Sequence, residues 1–469
     1  MFPSTPQFEA ALRIVRTLQS AGYEAYLAGG CVRDLLLGRN PEDYDVATSA
    51  TPDVVLNMFP RTFAVGAHFG VVLVAEEPAS PDDTSRGQKP TEVATFRSDG
   101  AYSDGRRPDA VQYTLSAAED VHRRDFTING LLLDPLHWAA SASASPGKTP
   151  AVREGLIDHV GGLADLDAGI IRAIGRPDLR FQEDQLRLLR AVRFAARFGF
   201  TIEPATHSAI RTLSARIHAV SRERIRDELT RMLTEGRARH AFELLDLTDL
   251  LVQVLPEVAQ MKGVRQPPDF HPEGDVWTHT LLLLEQLEPG CPVTLAWGAL
   301  LHDIGKPPTF RVAERIRFDG HVEVGMAIAA DILQRLRFSN DETRMILALI
   351  QHHMRFADAV HMRASTLKRF FRLENFPQHL ALHRMDCLAA SGNLDHWQFV
   401  RQRYEAMPEE DVRPRPLLTG HDLIAAGYQP GAQFKHILQA VEDAQLEGSI
   451  TTPDEAFKLV RERFPQAKL

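Results

Sequence analysis

The chain has 469 residues, which at about 100–200 residues per domain predicts two to four domains and at least one sizeable core. Hydrophobic residues make up 44% and charged residues 25%, a balance that excludes collagen-like, coiled-coil, low-complexity and wholly disordered chains. Lys and Arg number 53 against 62 Asp and Glu, for a net charge of -9, and spread evenly that charge would disfavour a nucleic-acid partner.

The charge is not spread evenly. Residues 1–150 carry 13 basic and 19 acidic side chains, whereas 151–235 carry 14 and 12. Within 172–231 stand 13 Arg, no Lys and seven acids. Arg without Lys fits bidentate work on phosphates or bases; the alternative is an Arg-rich helix laced by its own ion pairs. The three cysteines, Cys31, Cys291 and Cys387, lie too far apart for a disulfide framework or a zinc spacing, which fits a reducing cytoplasm. The N-terminal MFPSTPQFEAALRIVRTLQ lacks the basic and apolar regions of a signal peptide, and no apolar run is long enough to span a membrane.

Helical periodicity covers 8–20, and 23–28 then runs as a strand into Gly29-Gly30 and a helix from Val32 to Leu37. Strands are predicted at 44–47, 71–75, 92–97 and 111–114, with a helix near 52–59. Two stretches, 76–90 and 139–152, are too rich in Ser, Pro and polar residues to pack and read as surface insertions. From about 155 the pattern turns to long amphipathic helices. The segment 183–199 reads as one helix, acidic at its start and stopped by Gly199.

Chemistry concentrates first at 29–45. Gly29-Gly30 before a helix offers backbone N–H groups to phosphates. Asp43 and Asp45, two apart on a strand, point to one face. Paired carboxylates repel unless cations sit between them, and Mg²⁺ bridging to substrate phosphates would serve. That combination points to phosphoryl or nucleotidyl transfer. Each piece alone is an ordinary turn, but the order Gly-Gly, helix, D-x-D is specific.

At these residues the sequence resembles the class II tRNA nucleotidyltransferases, the family of CCA-adding enzymes and bacterial poly(A) polymerases. LAGGCVRDLLLGRNPEDYDVATSATP (27–52), TEVATFRSDGAYSDGRRPDAV (91–111), RRDFTINGLLLD (123–134), DHVGGLADLDAGIIRAIG (158–175) and RFQEDQLRLLRAVRFAARFGF (180–200) stand in that family's order. The resemblance implies an α+β head with a polymerase-β-like sheet at 1–154, a helical neck and body at 155–265, an HD domain at 266–400 and a helical tail at 401–469. It implies that Asp43 and Asp45 are catalytic, and that Gly30, Arg33, Arg124, Asp125, Asn129, Asp184, Arg187 and Arg190 bind the nucleotide. Arg193 and Arg197 would meet RNA. The partners implied are the tRNA 3′ end, CTP and ATP, with Mg²⁺ in the head and no protein partner. Glu92 is a candidate third metal-facing carboxylate, with an exposed strand residue as the equal alternative.

Asp184 and Arg187 are i, i+3 and are expected on one helix face. A carboxylate accepts from the amine of cytosine or adenine, whereas uracil and guanine present a carbonyl there. An i, i+3 salt bridge is the plain alternative. Gly-Val-Val at 70–72, where poly(A) polymerases tend to be Arg-rich, favours CCA addition over that activity; CC-only and A-only addition stay open.

A second constellation lies at 271–386. His279, His302-Asp303 and Asp386, in this order, resemble the HD phosphohydrolase superfamily, and the resemblance implies a second metal held by His321 with one or both of His352 and His353. Imidazole with carboxylate favours a transition metal such as Ni²⁺ or Mn²⁺. A phosphohydrolase acting on cyclic or terminal RNA phosphates is expected, with Lys306 as a phosphate contact; a helical domain that only helps to hold tRNA is the alternative. A phosphohydrolase whose head binds RNA without catalysis is the rival from another class. His421-Asp422 repeats the dipeptide without companions and is expected to be structural.

Overall fold

A computed structural model of the chain describes residues 5–64, 70–75, 89–100, 111–138, 153–269 and 271–465. Most of the two expected insertions, and 101–110 of the family segment 91–111, lie outside the described residues. The four expected segments fall into two compact units, Met1–Pro256 and Glu257–Leu469.

The first helix, Pro6–Ser20, is started by Thr5, whose hydroxyl accepts from Phe8 N, and by Pro6 at its first position. It buries Phe8, Ala11, Ile14, Val15 and Leu18, the helical repeat read from sequence. Strands follow at β1 (Ala25–Ala28), β2 (Asp45–Thr48), β3 (Thr62–Phe63), β4 (Val71–Val74), β5 (Thr91–Thr95), β6 (Arg97–Asp99), β7 (Val111–Tyr113), β8 (Leu131–Leu133) and β9 (Leu156–Asp158). Seven of them form one sheet in the order β3-β4-β5-β2-β1-β8-β9, and β6 pairs with β7. β2 is central: antiparallel to β1 and parallel to β5, with Val46 opposite Val93. That register sets Asp45 beside Glu92 on the neighbouring strand.

The head does not end at 154. β9 pairs with β8 through Leu131–Leu133 and closes the sheet at 158. Nor is the rest wholly helical: Ile170–Ile171 pairs in parallel with Thr201–Ile202, and Arg311–Val312 makes a hairpin with Ile316–Arg317. These strands are two or three residues long, too short for an alternation to register in the sequence.

The single helix expected over 183–199 is broken. One helix runs Pro177–Glu183 and the next Leu186–Phe198, with Asp184 extended between them at φ -142 and ψ 105. Asp184 Oδ1 accepts from Leu186 N at 3.1 Å, so the acid makes an Asx turn into the second helix, whose N-cap is Gln185, instead of continuing the first. Gly199 ends that helix at φ 70, as its sequence predicts. Below it, helices Arg222–Thr234 and Ala238–Leu247 pack on Leu186–Phe198.

In the second unit, Val276–Leu284 and Val293–Leu301 are apolar nearly all round and therefore lie inside, packed on each other and on Phe376–Ala389. His321–Arg335 and Asn340–His352 complete this core. The boundary expected at 400 falls inside the helix Asp395–Ala406, whose Val400 joins Phe356, Phe370 and Phe376 in one cluster. The tail helices Gly420–Ala425, Ala432–Leu446 and Pro453–Arg463 have a core of their own around Leu423, Ile437 and Val460. They are tied to the rest by Arg369 and Arg372, which bond Glu442 and Asp443. Asp422 closes a capping box with Thr419, so the second His-Asp dipeptide is structural.

Arg193 and Glu228 make a 2.6 Å ion pair with both side chains at most 5% exposed. Glu228→Ala leaves the buried guanidinium only the 3.4 Å contact of its Nη1 with Glu235 and should cost about 3 kcal/mol in urea unfolding, whereas the double change Arg193→Met, Glu228→Leu should recover most of that loss.

Candidate active sites

In the first unit a cavity of about 570 Å³ opens between the β1–β2–β5 edge and the helix Leu186–Phe198. Its floor is Gly29-Gly30. Gly29 adopts φ 71, and a Cβ there would stand 3.0 Å from Arg124 Nη1, so the turn needs glycine. Arg33 on the following helix is buried; its Nη1 donates to Asn129 Oδ1 at 2.6 Å, and its guanidinium stacks on Phe198 at 4.6 Å. Asn129 Nδ2 in turn donates to Asp125 Oδ1 at 3.0 Å, and Arg190 reaches Asp125 Oδ2 through Nε and Nη2 at 2.9 and 2.7 Å. Burial opposes the charge of Asp125, yet Arg190 and Asn129 hold its carboxyl well below the usual range.

Asp45 stands at the start of β2 and lines this cavity with Glu92. Burial first, then the charges of Glu92 and Asp43, push its carboxyl up to about 6 against the pull of Arg124. Carboxylates crowded until one resists ionisation form a site lacking its counter-charge, and an all-oxygen donor set suits Mg²⁺. The chemistry of this edge therefore fits the cation expected there. Asp43 is the outer member: it is exposed, outside the cavity lining, and 3.2 Å from Lys89 Nζ.

The expected base-reading pair is divided. Arg187 Nη1 donates to Glu183 Oε2 at 2.6 Å and to Arg180 O at 2.9 Å, and its Nη2 donates to Arg123 O. Asp184 instead meets Arg224, whose Nη2 lies 3.0 Å from Oδ2. The two side chains line one cavity but do not share a helix face. Arg193 also lines it, but buried against Glu228 it is no exposed contact for RNA; Arg197, partly exposed, lies 3.4 Å from Glu235. Arg224, Asp120 and Arg123 are functional neighbours that sequence reasoning missed. Asp120 holds both Arg123 and Arg124 at 2.7 and 2.9 Å.

The second unit gathers the histidines. His279 Nδ1 donates to Glu273 Oε1 at 2.7 Å, and Nδ1 of His302, His321 and His353 donates to the carbonyls of Ala299, Phe318 and Ile350. Those bonds leave the lone pair of each ring on Nε2. His279 Nε2 lies 3.0 Å and His302 Nε2 3.9 Å from Asp386 Oδ1, while Asp303 turns Oδ2 to His302 at 3.2 Å and Oδ1 to His321 and His353 at 3.8 and 3.9 Å. Among three ligand groups, His279-His302-Asp386 and Asp303-His321-His353 take in the residues read from sequence, and His271-Glu273-His279 is the third. Nε2 of His321 is buried without a hydrogen-bond partner among the described residues, and Nε2 of His279 and His302 faces only the carboxylates of Asp386 and Asp303, at 3.0 and 3.2 Å. Orphaned acceptors facing two carboxylates fit a pair of cations.

Burial resists charge on His279, yet Asp386 and Glu273 push its imidazole up to about 9, while burial and then His302 bring His353 down to about 4. His352 is not in either group. The helix Asn340–His352 ends there and turns it toward His379, with ring centroids 5.9 Å apart, and the next residue alone faces the carboxylates. Lys306 is committed as well: its Nζ lies 2.7 Å from both Asp303 Oδ2 and Gln266 Oε1. Glu273 and His271, bonded to each other at 2.8 Å, were not foreseen; their only signal was position, a few residues before His279. A cavity of about 470 Å³ covers the cluster, walled by Phe318, Met354 and Ala357.

The sheet, the glycine turn and the carboxylate edge are those of a nucleotidyltransferase head, here carried on one chain with an HD-type histidine cluster. Residues 25–172 match the Poly A polymerase head domain, 199–262 the probable RNA and SrmB-binding site of polymerase A, and 275–389 the HD domain. The CCA-adding enzyme of Lactobacillus johnsonii is 30% identical over 463 residues, 96% of each chain, and that of Levilactobacillus brevis 32% over 455 residues, 97% of each. The solved CCA-adding enzyme of Bacillus stearothermophilus, in complex with CTP, is 26% identical with a TM-score of 0.70 and covers 99% of this chain and 100% of its own. The Thermotoga maritima CCA-adding enzyme complexed with tRNA shares the fold at 17% identity, TM-score 0.59, over 98% of this chain and 96% of that one. The chain belongs to the CCA-adding enzyme family. Among the described residues no helix is long and apolar enough to cross a membrane.

The raised carboxyl of Asp45 has a stability cost with a defined sign. Its folded value of about 6 exceeds the ordinary 3.8, so without divalent cation stability falls as pH rises from about 4 through 6 and stays lowered above. Asp45→Asn should stabilise the metal-free protein at pH 7 by about 1–3 kcal/mol, and added Mg²⁺ should raise the Tm of the wild type more than that of the variant.

Proposed function

We propose that the protein adds C, C and A to the 3′ end of tRNA from CTP and ATP, in the cytoplasm. The observation that carries this reading is the single cavity joining the Asp45–Glu92 edge, the Gly29-Gly30 turn and Asp184. Asp45 and Asp43, with Glu92 beside them, would hold Mg²⁺, which when bound would supply neutralisation of the triphosphate and activation of the attacking hydroxyl. The backbone N–H groups after Gly29, with Arg33 and Arg124, receive the triphosphate. Asp125 and Asn129 fix Arg190 and Arg33 and so set the depth at which the sugar rests. The 3′-hydroxyl of the RNA gives up its proton to solvent water as its oxygen forms the bond to the α-phosphorus; the bond from that phosphorus to the bridging β-phosphate oxygen breaks, and pyrophosphate leaves. Asp184 accepts the exocyclic amine of cytosine or adenine, and Arg187, locked by Glu183, donates to the ring.

The second unit is read as a metal-dependent phosphohydrolase for cyclic or terminal phosphates on RNA ends. His279, His302 and Asp386 would hold one Ni²⁺ or Mn²⁺, and Asp303, His321 and His353 another; such ions supply a water made nucleophilic near neutral pH. The orphaned Nε2 atoms support this over a purely structural role.

With tRNA lacking CCA and each labelled nucleotide, addition should stop at CCA. A stop at CC, a single A or a long A tail would assign one of the related activities instead. Asp43→Ala or Asp45→Ala should leave less than a few per cent of that rate. Separately, Mn²⁺- or Ni²⁺-dependent hydrolysis of a generic phosphodiester should vanish in His302→Ala, and a purified protein that binds neither metal would remove the phosphohydrolase reading.

A further inference from the structure

Asp184 is held in a way its motif does not foretell. As the extended residue between two helices it has no helical turn around it to fix its rotamer. Three donors do so instead. Leu186 N reaches Oδ1 at 3.1 Å, Arg224 Nη1 reaches Oδ1 at 3.3 Å, and Arg224 Nη2 reaches Oδ2 at 3.0 Å. Arg224 comes from the helix Arg222–Thr234, far along the chain, and lines the same cavity as Asp184. Arg187 does not do this work: its Nη1 serves Glu183 and the Arg180 carbonyl and its Nη2 the Arg123 carbonyl, which leaves one Nη2 N–H directed to the base and no bond to Asp184.

A carboxylate offers about four lone-pair directions, and these three bonds leave little freedom to turn. That restraint matters for the choice of base. Cytosine and adenine present an amine where uracil and guanine present a carbonyl, but uracil and guanine carry a ring N–H one position away. A carboxylate free to swing would accept from that N–H and admit the wrong base. We propose that Arg224 is a specificity-determining positioning residue: its two-pronged grip fixes the plane of the Asp184 carboxylate against the amine position and so excludes UTP and GTP. The proposal rests on the reading of Asp184 as the base selector.

The test compares wild type, Arg224→Gln, Arg224→Lys and Asp184→Ala by kcat/KM for CTP over UTP on tRNA lacking CCA, and by equilibrium binding of the two nucleotides, which needs no turnover. Arg224→Gln should lower the CTP preference roughly tenfold or more, the scale of one lost bidentate contact. The loss should fall on KM and on gained UTP use, with kcat for CTP little changed, and Arg224→Lys should recover part of the preference. If Arg224→Gln keeps the wild-type ratio in turnover and binding while Asp184→Ala loses it, Arg224 has no such role. If Asp184→Ala also keeps the ratio, the base-selector reading itself falls and the proposal with it.

Discussion

The cavity of the first unit turns on the carboxylate of Asp125. One of its oxygens receives Asn129, which holds Arg33 from the glycine-turn helix; the other receives both prongs of Arg190 from the helix Leu186–Phe198. The backbone on either side is stitched to the neck, with Ile174 N donating to Asp125 O and Thr127 N to Arg172 O. A buried carboxylate costs several kcal/mol unless every lone pair is used. Here each is engaged, and the geometry is therefore narrow. The head sheet and the neck helix meet in the one arrangement that satisfies this acid, which explains why they form one compact unit although their sequences differ so sharply in texture.

The two candidate sites use opposite forms of the same electrostatics. Around Asp125 every charge has its partner and nothing is left over. Around Asp45 and around Asp303–Asp386 the charges are deliberately unbalanced: carboxylates crowd at the strand edge, and imidazole lone pairs face buried acids without hydrogen bonds. Such frustration is tolerable only beside a rigid, fully paired scaffold. In the second unit that scaffold is the ring of Nδ1 bonds to Glu273 and to helix carbonyls, which orients each imidazole before any ligand arrives.

Much of this was legible. The glycine turn, the D-x-D strand and the ordered histidines carry their chemistry in local spacing, and strands β1, β2, β4 and β5 sit within two residues of where alternation put them. What was hidden depends on distant partners. The break at Asp184 lies inside a stretch with good helical periodicity, and only the turn-forming preference of an acid before Leu186 marks it. His352 and His353 are chemically identical in sequence; the helix end that points one inward is a matter of a single turn. Glu273, Arg224 and Glu228 act through side chains 6, 40 and 35 residues away, where no periodicity operates.

The Arg-only span shows how a count can be right and its meaning change. The excess of guanidinium over carboxylate is real, yet most of these arginines are committed: Arg172 to Asp165, Arg180 and Arg187 to Glu183, Arg190 to Asp125, Arg193 to Glu228, Arg197 to Glu235, Arg211 to Asp249 and Arg224 to Asp184. The alternative of a helix laced by its own ion pairs does not describe them: the pairs run mostly between elements, not within one helix. A paired arginine cannot wander, and its unspent N–H groups point where its acid sends them. Lysines in the same places would supply equal charge without that aim, since an ammonium has no plane for a carboxylate to fix. The composition therefore makes sense as a device for direction: the acids that cancel the charge are what convert a basic stretch into a site with defined donors.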